Sequence, residues 1–180
     1  MTTTISRRSE VTTDIPEYKA KMPNPHDGRD IDKVRGYGAS PLIPVQTCAE
    51  ENVLCQTGDT YPNEDIFLHE FAHSMHWGMS EVYGKSFDEE LAALYAKAKA
   101  KADKLGKKGK TYAVTNVQEY FAEGVQSWFA LNDEAIPTNG IHNHVNTRAE
   151  LRAFDRGLHD FLARYLPDDN NNCSCHAQAR

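Results

Sequence analysis

Several things are scarce in this 180-residue chain. No apolar run approaches the roughly 18 residues that a membrane-spanning helix needs, so no span is expected. Positive charge is in deficit: 20 Lys and Arg stand against 26 Asp and Glu, a formal net charge of −6. A nucleic-acid partner needs a basic surface, so none is expected. The opening stretch, MTTTISRR, has no apolar core of the kind a secretory signal carries. That leaves a cytosolic protein or a mature fragment given a start codon. Hydrophobic residues make up 39% of the chain, with 8 prolines and 11 glycines. One core in one domain is what this length and composition support. Cysteines number only four, but the count is even and favours a secreted, disulfide-bearing protein. They permit three pairings. Cys48–Cys55, closing a ring worth about 2.5 kcal/mol in the loop-entropy model, is the first choice. Crossing to Cys173 or Cys175, which would tie the tail to the core, is the alternative.

What the chain does have is His69-Glu70-Phe71-Ala72-His73. Residues four apart lie one above the other on a helix, so His69 and His73 can grip one ion. Imidazole pairs at this spacing suit zinc, and Glu70 points to the same side, near the metal's open position. There a carboxylate can take a proton from water whose pKa the metal has lowered. The plain alternative is two helix histidines and a surface glutamate. A catalytic zinc wants a third protein ligand. His76 lies seven residues beyond His69, about 10 Å further along an unbroken helix, and is badly placed for it. The pattern H-E-x-x-H-x-x-G-x-x-H would need Gly at 76 and His at 79, where this chain has His76 and Met79.

The better third ligand sits in Thr115-Asn116-Val117-Gln118-Glu119-Tyr120-Phe121-Ala122-Glu123. Thr115 and Gln118 have capping-box spacing, which predicts a helix start. Glu119 and Glu123 then share a face. One carboxylate can bind zinc while the other accepts the ring N–H of a ligand histidine. Tyr120, Phe121, Val125, Trp128 and Phe129 make this helix too apolar to lie on the surface.

These residues together resemble the gluzincins, and among them most closely the anthrax lethal factor and Pro-Pro endopeptidase branch of zinc peptidases. That branch carries H-E-x-x-H on one helix, E-[FY]-F-A-E on a second, and a tyrosine seven residues before the ligand glutamate. Here the second segment is Glu119-Tyr120-Phe121-Ala122-Glu123, and the tyrosine is Tyr112. The resemblance spans roughly residues 61–131. It implies zinc on His69, His73 and Glu119, Glu70 as general base, Glu123 behind a ligand histidine, and Tyr112 stabilising the oxyanion. It also implies a protein or peptide substrate and an α+β, mainly helical zincin-like domain with a small β edge.

Residues 1–35, rich in Thr, Pro and charge, are expected to form a flexible leader. The domain is expected over 36–167, with a flexible Cys-containing tail over 168–180. The runs 42–45 and 53–54 read as β-prone and supply the candidate edge on which a substrate adds as a strand. Pro62-Asn63-Glu64-Asp65 opens the histidine helix, which is expected to end by Gly78. Ser86 with Glu89 and Thr147 with Glu150 predict two further capped helices, the last one with an inner stripe from Leu151 to Tyr165. His142-Asn143-His144 reads as an exposed loop, with a cleft lining or a second metal as alternatives. His26, His159 and His176 read as surface or packing residues. The expectation is a monomeric, secreted zinc endopeptidase. Its rival is a secreted, toxin-like or zinc-binding interaction protein without peptide turnover, which would need neither Glu70 nor Tyr112.

Overall fold

The computed structural model describes residues 1–21, 30–169 and 174–178. It is mainly helical with one small sheet, an α+β arrangement at the coarse level. In chain order its regular elements are β1 (Thr2–Ser6), α1 (Pro16–Lys21), β2 (Gly36–Tyr37), β3 (Val45–Ala49), α2 (Glu50–Val53), α3 (Ile66–Tyr83), α4 (Lys85–Leu105), α5 (Val117–Trp128), α6 (Arg148–Phe154) and α7 (Arg156–Leu162). None of these helices is long and apolar enough to cross a membrane.

The sheet has the order β1-β3-β2, with β1 parallel and β2 antiparallel to β3. This corrects two sequence-based expectations. Residues 1–21 and 30–35 are not a loose leader. β1 pairs residue for residue with β3 from Thr2 on Val45 to Ser6 on Ala49, and Tyr18 and Ile31 are buried with Ile43 and Val45 in a small core of their own. The Tyr18 hydroxyl donates to the Val45 carbonyl at 2.7 Å. The second correction concerns the strand edge. β3 lies between two partners and is buried throughout, so it offers no free ladder, and Val53 belongs to α2. The edge beside α3 is β2.

α5 is the middle of the larger core. Every residue from Tyr120 to Trp128 is buried, against α3, α4 and α7, with Phe87, Leu91, Phe161 and Leu162 closing around Phe121 and Val125. Gly124 sets the approach of α7, because a Cβ there would stand 2.6 Å from a Leu158 methyl carbon. The helix is capped by Asn116, whose side chain accepts from the Glu119 N–H at 2.8 Å, and not by Thr115, which closes the preceding turn.

Other helix ends moved as well. Asp65 caps α3 by accepting from the Leu68 N–H. The helix runs through Gly78, where a lone glycine costs about 1 kcal/mol relative to Ala, and stops at Gly84, whose φ of +70° suits a residue without Cβ. α4 starts directly after it, so Ser86 falls inside the first turn and caps nothing. Thr147 and Glu150 do form a capping box. The expected last helix is split at Asp155, which caps α7 through the Leu158 N–H and accepts the Tyr120 hydroxyl at 2.6 Å.

The disulfide is Cys55–Cys175, not Cys48–Cys55. Cys48 lies on the central strand β3 and is a buried free thiol. Cys173 and His26 lie outside the described residues. The tail is therefore tied down at 174–178: His176 is buried, with Nε2 donating to the Asn52 carbonyl at 2.9 Å. Asn52 in turn accepts from the Ile66 N–H at 2.9 Å and donates to the Glu64 carbonyl at 2.9 Å, fixing the strap that leads into α3. The bridge spans 120 residues of sequence, worth about 5 kcal/mol in the loop-entropy model. Cys175→Ser is expected to lower unfolding stability by several kcal/mol, up to that bound. Urea denaturation measures this, and peptide mapping without reductant should recover the 55–175 pair.

Candidate metal centre

α3 and α5 cross so that the histidine face of one meets the glutamate face of the other. His69 and His73 are adjacent on α3, their ring centroids 4.9 Å apart. The Glu119 Oε2 atom lies 3.0 Å from His69 Nε2 and 3.4 Å from His73 Nε2. One atom from each of the three residues falls within 4.8 Å of the other two. Ligands at about 2.0–2.1 Å in a tetrahedron are separated by roughly 3.3 Å, so two of the three edges already have the size that a four-coordinate zinc requires. Glu70 stands beside the group, its Oε2 atom 4.0 Å from His73 Nε2.

The charges fit a cation as well as the distances do. Burial opposes protonation of His69, but Glu119, Glu70 and Glu123 outweigh it and pull the imidazole up to about 10. Burial pushes the Glu70 carboxyl up. It acts on Glu119 in the same sense, but the hydrogen bonds to both histidines overcome it and hold that carboxyl far below its ordinary value. A partly buried cluster of three carboxylates and two imidazoles draws positive charge to its centre, and a divalent ion fits that donor set.

Tyr112 begins a short 3-10 turn ahead of α5 and is brought to the group, its ring 6.1 Å from that of His69. Its N–H donates to the Ile141 carbonyl at 2.7 Å, which anchors the turn on the loop between α5 and α6. Glu123 is placed differently from expectation. It lies 3.8 Å from His69 Nδ1, too far for a hydrogen bond. The atom in contact with Nδ1 is Gln126 Oε1, at 2.7 Å. Gln126 is wholly buried and its own amide group donates to the Asp65 carbonyl at 3.1 Å. With an ion bound, the amide would hold a proton on Nδ1 and leave Nε2 to the metal. Gln126 was legible in principle: it follows Glu119 by seven residues, two turns along the same face.

The sheet supplies the other wall. A Cβ at Gly38 would lie 2.5 Å from the His73 Cβ, and one at Gly36 would lie 3.0 Å from Glu70 Oε1. A backbone hydrogen bond from Gly38 also reaches Glu70. These glycines carried no sequence signal, because the approach of β2 to α3 is a tertiary fact. His76 takes no part: it is buried against Phe121 at 5.3 Å between ring centroids.

No family model, curated protein or solved structure matches this chain.

Gly38→Ala should push His73 out of line and weaken zinc binding by about 10–100-fold, the scale for disturbing a ligand's support. Competition with a chromophoric chelator measures it, and Ala at the open Gly78, where a Cβ meets nothing, is the control expected to leave affinity unchanged.

Proposed function

We propose that the chain is a zinc-dependent endopeptidase. The observation that carries this reading is the convergence of His69, His73 and Glu119 donor atoms from two facing helices, with the half-buried Glu70 carboxylate beside them. The resemblance to gluzincins of the lethal factor and Pro-Pro endopeptidase branch points the same way, and a zincin-like fold is part of the same proposal. His69, His73 and Glu119 would hold the ion. Zinc bound there would lower the pKa of water towards neutrality and polarise a scissile carbonyl.

The chain's own residues do the rest. Glu70, whose basicity is raised by burial, takes a proton from the attacking water and returns it to the leaving amine. Gln126 holds the His69 ring in register. Tyr112 donates its hydroxyl to the oxyanion as the carbonyl becomes tetrahedral. The substrate lies along β2, the sheet edge that flanks Glu70 and His73, and adds as a strand. The described disulfide supports a secreted location. A zinc-binding protein without turnover remains the competing reading, and Glu70 and Tyr112 beside the donor set weigh against it.

Two substitutions separate the readings. Glu70→Gln should keep fold and zinc but abolish cleavage of a peptide library, since an amide cannot accept the proton. Cleavage at the wild-type rate would remove Glu70 from the mechanism. Tyr112→Phe keeps the ring and should leave zinc content and melting temperature in place. Its kcat should fall by about 10²–10³, the scale of one lost oxyanion donor, with KM little moved. An unchanged kcat would reduce Tyr112 to a packing residue.

A further inference from the structure

Beyond His69, on its Nδ1 side, a second group of ionisable side chains closes on one point. Glu64, Glu123 and His142 each offer a ligand atom, all within 4.8 Å of one another. They arrive from three segments: the strap entering α3, the middle of α5, and the irregular stretch between α5 and α6. Their exposures are 6%, 7% and 8%, so the loop histidine expected at the surface is in fact interior.

The hydrogen bonds inside this group do not satisfy it. Glu123 Oε2 accepts from Asn132 Nδ2 at 3.0 Å, and Glu64 Oε2 stands 3.5 Å from Gln126 Nε2. Among the described residues, neither carboxylate forms an ion pair with Lys or Arg; their only charged neighbours at ion-pair range are His69 and His142. His142 supplies an independent observation. Its Nδ1 is buried without any hydrogen-bond partner, and its Nε2 faces Glu64 Oε1 across 3.8 Å, outside hydrogen-bond range. A buried imidazole without a hydrogen bond, its Nε2 turned to one buried carboxylate and a second within ligand range, is a donor set that a cation between the three would fill.

We propose that Glu64, Glu123 and His142 form a second divalent-metal site, distinct from the His69–His73–Glu119 group, that fastens the 129–147 stretch to α3 and α5. One nitrogen and two oxygen donors select a borderline ion such as zinc over calcium or magnesium, whose protein sites are built from oxygen alone. The Glu64–His142 edge needs to shorten by about half an ångström to reach the roughly 3.3 Å of a tetrahedral zinc. Access is open: Glu123 and His142 both border a cavity of about 880 Å³ that none of His69, His73 and Glu119 lines. The site's role is structural. No water-activating neighbour is needed, and the loop it holds is the one on which Tyr112 is anchored.

Zinc counting on tag-free protein, after dialysis against a weak chelator, tests this without reference to activity. The Glu119→Ala chain should retain one zinc, and its melting temperature should rise on adding zinc. The Glu119→Ala/His142→Gln double variant should retain none and lose that rise. Glu119→Ala/Glu64→Gln provides the same test from the other carboxylate, in case one substitution harms the fold. A folded Glu119→Ala chain that binds no zinc overturns the second site, as does a retained ion that neither second substitution removes. Failure of the first site reads differently: Glu119→Ala would then hold as much zinc as wild type, while His142→Gln alone would still remove one equivalent.

Discussion

The contact on which everything else depends is the one between Glu119 and the two imidazoles of α3. It places ionisable groups in the least hydrated part of the molecule, where an unpaired charge is expensive. α5 is buried along nine consecutive residues, Glu123 among them, and Glu119 just ahead of these is only partly open to water. The surrounding polar side chains answer that constraint. Gln126 bonds to His69, Asn132 to Glu123, Asn116 to the N–H of Glu119, and each comes from α5 or the loops at its ends. The apolar residues hold the distance: Phe121 and Val125 on one side, Leu158 against Gly124 on another.

Burial and polarity are therefore not competing here. The same helix carries the largest share of the core and most of the side chains that orient the histidines. A change made for stability in α5 acts on the candidate metal centre within one turn, and the reverse holds too. The second carboxylate–imidazole group extends this to the loop between α5 and α6, so that the buried Glu64 and Glu123 continue the polar group that begins at the partly exposed Glu119.

Much of this was readable in the chain itself. The i,i+4 spacing put His69 and His73 on one face, and the apolar neighbours of Glu119 required that its helix be interior. Thr147 and Glu150 announced a helix start that the fold uses. What the sequence hid has physical reasons. Residues 1–21 looked disordered because a parallel strand such as β1 borrows its stability from β3, more than forty positions away, and shows little local pattern. Asp155 ended a helix in mid-pattern because the Tyr120 hydroxyl and the Leu158 N–H both bind it. Cysteine pairing followed three-dimensional proximity: Cys48 is buried on the central strand, while Cys55 and Cys175 meet across 120 residues of sequence. Thr115 and Asn116 compete for the same cap, and only the turn geometry before α5 decides between them.

The contact of Gly36 and Gly38 with α3 carries a further consequence. At these two positions the wall facing Glu70 and His73 is made of main chain, and a side chain at either would have to displace Ile66, Glu70 or His73. An exchange on that side of the group therefore acts by moving its members. Tyr37 between them turns the other way, onto Tyr18 in the small core, so side chains reach the group from the opposite side, around Tyr112 and its supporting loop. The two sides of the group are thus built differently: one is walled by main chain packed on its neighbours, the other by the side chains of a turn and a loop.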